Sequence, residues 1–171
     1  MLIRRLERDD EDATRAFFAR VPESDQRFFK EDVVGDPAVL QRWVADTRAR
    51  RLVAMDDEGR VCGYAAVVPG VGWSAHVAEL HVIVDGDHRR AGVGSQLVWR
   101  ALELTRELEL AKLVVEVVAE QENAVAMFQG LGFQPEAVLP GHVRDREGHE
   151  HDLILLANTG VLALEYQAAD R

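Results

Sequence analysis

Apolar positions along this chain fall into two periods. Residues 52–55, 61–68, 77–84 and 113–118 are short apolar, β-branched runs bounded by polar or glycine-bearing turns, and they predict strands. Residues 92–108 place Val93, Leu97, Val98, Ala101, Leu102 and Thr105 on one side of a 3.6-residue repeat and predict an amphipathic helix. Residues 9–21 predict another. Ala13, Ala16, Phe17 and Arg20 share a face, and acids at 9–12 crowd the first turn, where the helix dipole favours them. Asp36-Pro37 predicts a further helix start, an N-cap aspartate followed by proline at the first helical position, with Leu40, Trp43, Val44 and Thr47 buried. A shorter helix is expected over 122–131, closed by Gly132 at its C′ position. Residues 2–7 predict an opening strand; 133–143 and 151–157 predict two closing strands across the polar turn 144–149. Segment 22–35, with Phe28 and Phe29 among charges, has no clear period.

The predicted order is β-α-α-β-β-β-α-β-α-β-β, an α/β layout on a mixed sheet, since hairpins and a crossover both occur. Residues 113–118 are almost wholly apolar, as a central strand buried on both faces would be. A length of 171 residues suits one domain, here 1–157, with 158–171 as a tail or an added helix.

With 47% apolar residues the chain is globular in composition. Its net charge of -10 argues against a nucleic-acid partner, whose phosphates demand basic patches. The acidity suits a cationic substrate, or serves only solubility. One cysteine, Cys62, excludes an intrachain disulfide and reads as a small packing residue in a reducing, cytoplasmic compartment. The first residues lack the apolar core of a signal peptide, and no run is long enough to span a membrane. Arginine greatly outnumbers lysine.

The candidate chemistry centres on the junction after residues 77–84, where Arg89-x-x-Gly92-x-Gly94 opens the long helix. Glycines there let backbone amides converge, and a helix N-terminus adds unpaired donors and partial positive charge. No Gly-Lys-Ser/Thr follows, so this is not a P-loop, and the third glycine of a dinucleotide fingerprint is missing. Taken alone, the loop reads equally as an anion cradle or as a tight strand-to-helix turn.

The order of motifs resembles the GNAT superfamily of N-acetyltransferases. Val82-Ile-Val84 leads into Arg89-Arg-Ala-Gly92-Val-Gly94, then come an amphipathic helix, a buried strand, and a short helix closing on Gly132-Phe133. The resemblance spans roughly residues 2–157. It implies a mixed sheet of about seven strands, helices on both faces, and a splay between the fourth and fifth strands. It further implies acetyl-CoA as co-substrate and no metal. The backbone of Arg89, Arg90, Ala91, Gly92, Val93, Gly94 and Ser95 would cradle the pyrophosphate. Val82, Ile83 and Val84 would line the pantetheine arm as an added strand does, with a strand amide near Val82 as oxyanion donor. The family asparagine before the short helix is Gln121 here, with Asn123 nearby. The family's tyrosine acid is Phe128, which has no proton to give.

Glu79 is the candidate base, placed like the glutamate of the bacterial protein-lysine acetyltransferases; its other reading is a surface or ion-paired glutamate. Glu116 is a second base, an acceptor-binding carboxylate or a partly exposed structural residue. His81 shares the Glu79 face and either assists it or hydrogen-bonds within the sheet. His142, His149 and His151 near the last hairpin read as a solvated turn rather than a metal site. The stretch from Phe17 to Phe29 resembles the acceptor entrance of the lysine-acetyltransferase branch. The expected acceptor is a small amine, with a lysine side chain as the alternative. A non-catalytic acyl-CoA sensor is the reading from another class. Homodimers are frequent in the family.

Overall fold

Seven strands form one sheet in a computed structural model that describes residues 1–26 and 29–160. In chain order the strands are β1 (Leu2–Arg5), β2 (Arg50–Met55), β3 (Val61–Pro69), β4 (Val77–Val84), β5 (Lys112–Val118), β6 (Gln134–Arg144) and β7 (Glu150–Asn158). Their spatial order is β1-β2-β3-β4-β5-β7-β6. All pairings are antiparallel except β4 with β5, which a helical crossover makes parallel.

The helices are α1 (Glu11–Arg20), α2 (Glu23–Gln26), α3 (Ala38–Ala45), α4 (Val93–Glu107) and α5 (Glu122–Gly130). They bury two separate cores. Beneath α4 and α5, Leu97, Val98, Ala101 and Phe128 pack with Ala65, Val67, Leu80 and Leu113 of the sheet. On the other face, α1 and α3 pack Phe17, Phe18, Val39 and Leu40 against Val53, Tyr64 and Ala66. Cys62 sits at an irregularity where Ala54 pairs with Gly63 but Met55 pairs with Val61. It is buried, and burial pushes its thiol pKa up, so it packs and does not react.

Two expectations need correction. Residues 13, 16, 17 and 20 share a face of α1, but burial centres to one side of it: Thr14, Phe17 and Phe18 are buried, Ala13 is partly buried against the core, and Ala16 and Arg20 are exposed. Phe18 decides the rotation, because its ring meets Phe17, Phe29, Trp43 and Tyr64 edge-on at 5.1–5.7 Å. Thr47 is exposed and lies outside α3. That helix stops at Asp46, whose extended backbone turns the chain and whose Oδ1 accepts from Arg48 N at 2.9 Å. Asp36 does cap α3, accepting from Ala38 N at 2.9 Å. Phe28 and residues 161–171, including most of the expected tail, lie outside the described residues.

Candidate functional site

β4 and β5 run as a ladder only from Val77 with Lys112 to Leu80 with Val115. Beyond that pair each strand keeps only its outer neighbour. His81 to Val84 stay paired to β3, and Glu116 to Val118 stay paired to β7. The inner edges separate and leave backbone donors and acceptors facing a gap. A cleft of about 590 Å³ opens there, within the usual range for a small-molecule site.

Glu79 and Glu116 stand at the start of the split, one on each strand. Strand alternation puts His81 beside Glu79, and its Nε2 lies 2.9 Å from Glu79 Oε1. Between the two carboxylates lies the ammonium of Lys30, from the loop after α2. It is hydrogen-bonded to Glu79 and 2.7 Å from Glu116 Oε2. The His81 and Lys30 hydrogen bonds outweigh burial and hold the Glu79 carboxyl at about 2. Burial alone would lower Lys30, but both carboxylates raise it above its ordinary value.

From this charged end the cleft passes along Val82, Ile83 and Val84 to Arg89, with Gln121, Ala124 and Phe128 on the facing side. Asp85 joins β4 to the glycine loop. It is buried and accepts from both His88 N and Nδ1, at 3.2 and 2.8 Å, and Arg20 Nη2 lies 3.4 Å away. Gly92 then caps α4 with φ 79°, and Arg90 is left-handed too at φ 61°. Such alternation turns successive amides to one side, as anion-binding nests require. The first amides of α4 add donors with no partner inside the helix. At Gly94 a Cβ would stand 3.2 Å from Met127 Sδ, so the methionine side chain would have to give by a few tenths of an ångström.

Among the residues singled out from sequence, the structure brings together Glu79, Glu116, His81, Val82, Ile83, Val84, Arg89, Gln121 and Phe128 around one cleft. Arg90 to Ser95 form the loop and first turn at its far end. Asn123 is exposed on α5 and does not line the cleft. Arg89 points its guanidinium to Asp25 of α2. Phe128 is buried and packs edge-on against Phe133 at 5.3 Å. His151 is engaged by Asp145 and Glu120, each at 2.9 Å. Those carboxylate pairs stiffen the hairpin and give it a structural role.

Lys30, Tyr64 and Trp43 also line the cleft and were not anticipated from sequence. Tyr64 and Trp43 stack at 5.0 Å, and burial pushes the Tyr64 phenol upward, so it keeps its proton. For Lys30 one signal existed, a rare lysine in an arginine-rich chain.

An acetyl-CoA molecule suits these features. The nest and α4 N-terminus match a pyrophosphate, and the open β4 edge matches an amide-bearing arm. Residues 10–133 match the model of the Acetyltransferase (GNAT) family. The Bacillus subtilis protein YwnH, whose name provisionally ascribes phosphinothricin acetyltransferase activity to it, is 28% identical over 113 residues, 64% of this chain and 69% of that protein. The ribosomal-protein-alanine N-acetyltransferase of Brucella melitensis superposes with a TM-score of 0.82 at 26% identity, covering 93% of this chain and 99% of that one. A Salmonella typhimurium protein provisionally named an acetyltransferase, solved with its cofactor acetyl-CoA, has a TM-score of 0.79 at 20% identity over 93% of each chain.

Proposed function

The chain belongs to the GNAT family of acetyltransferases, and on that premise we propose that it moves an acetyl group from acetyl-CoA to a primary amine in the cleft between β4 and β5. One observation carries this reading: two carboxylates, from strands that part at that point, flank a bound ammonium. The same arrangement would seat an incoming substrate ammonium beside the thioester.

Acetyl-CoA supplies the activated acyl group. The residues of the chain supply binding, orientation and proton transfer. Arg89 to Ser95 hold the diphosphate through backbone amides. The free edge from Val82 to Val84 aligns the pantetheine arm and offers an amide to the developing oxyanion. Glu116 pairs with the acceptor ammonium. Glu79 draws off one of its protons and passes it to water at the cleft mouth. Phe128 shapes the wall and donates nothing, so the departing thiolate takes its proton from solvent.

The cleft fits an unbranched alkylammonium, because it already holds the stem and head of Lys30. A small alkylamine is the preferred acceptor. The same fit favours a lysine side chain as the second reading. Among the described residues no helix is long and apolar enough to cross a membrane, and the free thiol of Cys62 accords with the reducing cytoplasm. The test is CoA release with a panel of spermidine, free lysine, a lysine peptide and an alanine-terminated peptide. Turnover with the alkylamines, and none with neutral compounds of the same length, is the expected result. Acetyl-CoA binding with no amine turned over would leave only the acyl-CoA sensor.

A further inference from the structure

We propose that Lys30 is itself an acetyl acceptor, modified in cis by the cleft it occupies. The inference rests on the acetyltransferase reading above and goes beyond it by assigning a modification site to the chain. The chain contains two lysines, at 30 and 112. Lys112, at the start of β5, pairs with Glu136 at 2.6 Å and takes no part in lining the cleft. Lys30 lines the cleft and sets its ammonium between Glu79 and Glu116, where the strands part. The other basic side chains lining the cleft are the guanidiniums of Arg89 and Arg144 and the imidazoles of His81 and His142, and an acyl-imidazole is hydrolysed rather than kept. A guanidinium stays protonated and does not attack a thioester. Lys30 is therefore the one stable nucleophilic amine that the described residues place in the cleft.

Lys30 precedes α3 outside any helix or strand, and its side chain is half exposed, so the amine stands at the mouth of the cleft. Holding an amine beside a thioester converts a collision into an intramolecular step. The two carboxylates favour the ammonium, so the amine that attacks is the small fraction of Lys30 whose proton has passed by way of Glu79 to water. Its nitrogen then bonds to the acetyl carbon and the carbon–sulfur bond breaks. The electron pair leaves on sulfur as CoA thiolate, which takes a proton from water, and the amide nitrogen loses its remaining extra proton to solvent. The products are Nζ-acetyl-Lys30 and CoA, with one net proton released. Acetylation removes the cation that bridges the two strands, and both carboxylates then face the cleft without it.

The experiment uses the full chain with acetyl-CoA labelled in the acetyl group and no added amine. Peptide mass spectrometry follows acetylation at Lys30 and Lys112 over time, and calorimetry on the same sample measures acetyl-CoA binding. The expected result is label at Lys30 at least about tenfold faster than at Lys112, with a rate constant independent of protein concentration. Glu79→Gln slows Lys30 labelling at least about tenfold and leaves Lys112 unchanged. Equal rates at the two lysines in a sample that binds acetyl-CoA and turns over an external amine would overturn the proposal and spare the acetyltransferase reading. A folded sample that does not bind acetyl-CoA would overturn both.

Discussion

Replacing Glu79 by glutamine separates catalysis from stability, because the two effects differ in size and in pH dependence. In the folded protein His81 and then Lys30 hold this carboxyl at about 2, against an ordinary 4.5. A depressed carboxyl stabilises the fold fully above its unfolded value, and that stability is lost as pH falls from 4.5 towards 2. Ideal linkage for this displacement is about 3 kcal/mol. The side chain is 34% exposed, and solvent screening reduces the figure to about 1 kcal/mol. Glu79→Gln should therefore lower stability by about 1 kcal/mol at pH 7, with the difference shrinking as pH falls through the folded value and vanishing below it. Turnover should fall about 10²–10⁴-fold, which corresponds to a barrier rise of about 3–5 kcal/mol. A loss of 1 kcal/mol hardly changes the folded population of a domain with ordinary stability, so the rate effect cannot come from unfolding. Urea titrations at several pH values give the first quantity, and CoA release at saturating acetyl-CoA gives the second. Turnover within about threefold of the parent, in a variant that folds and binds acetyl-CoA, would remove Glu79 as the base.

Other outcomes follow from the same geometry. Gly63→Ala would bring a Cβ within 2.9 Å of Leu97 Cδ1 and 3.0 Å of Val93 Cγ1, lifting α4 from β3 at a cost of about 1–3 kcal/mol in a urea titration. An unchanged midpoint would mean that the helix repacks freely. Gly92→Val forces a β-branched residue into a left-handed backbone, a cost of about 1–2 kcal/mol that should weaken acetyl-CoA about tenfold; unaltered affinity by calorimetry would place the phosphate elsewhere. At the last hairpin His151 is raised by Asp145 and then Glu120. Its stabilisation is present below its ordinary 6.5 and is lost as pH climbs through the raised value. Hydrogen exchange of the β6–β7 amides should therefore accelerate with pH beyond its intrinsic rise, and His151→Ala should abolish that excess.

The parts legible in the sequence are those fixed by local pattern. β4 spans Val77–Val84 as predicted, and α4 spans Val93–Glu107 against an expected 92–108, because a strong period is punctuated by Asp85, Gly86 and Gly92. The rotation of α1 was not legible. Phe17 and Phe18 are adjacent and equally apolar, and only the aromatic partners brought in from α3 and β3 decide which way the helix turns. The charged end of the site was half legible. Glu79 and Glu116 stood out as acids on apolar strands. Lys30 lies 49 residues from Glu79 in sequence, and no periodicity links a loop lysine to two strands it meets only in the folded chain. The parting of β4 and β5 was implied by family resemblance, since His81 and Glu116, the first residues past the last shared pair, are followed by apolar runs like those of any paired strand.

The central claim is that the cleft between β4 and β5, with the glycine loop at its end, is an acetyl-CoA site. Calorimetric titration of the chain with acetyl-CoA, with adenosine diphosphate as reference and Gly92→Val as control, tests it most directly. Saturable one-to-one binding is expected, at least about tenfold tighter than the diphosphate and weakened in the variant. A folded sample that shows no saturable binding, or that binds acetyl-CoA equally well after the Gly92 substitution, would contradict it.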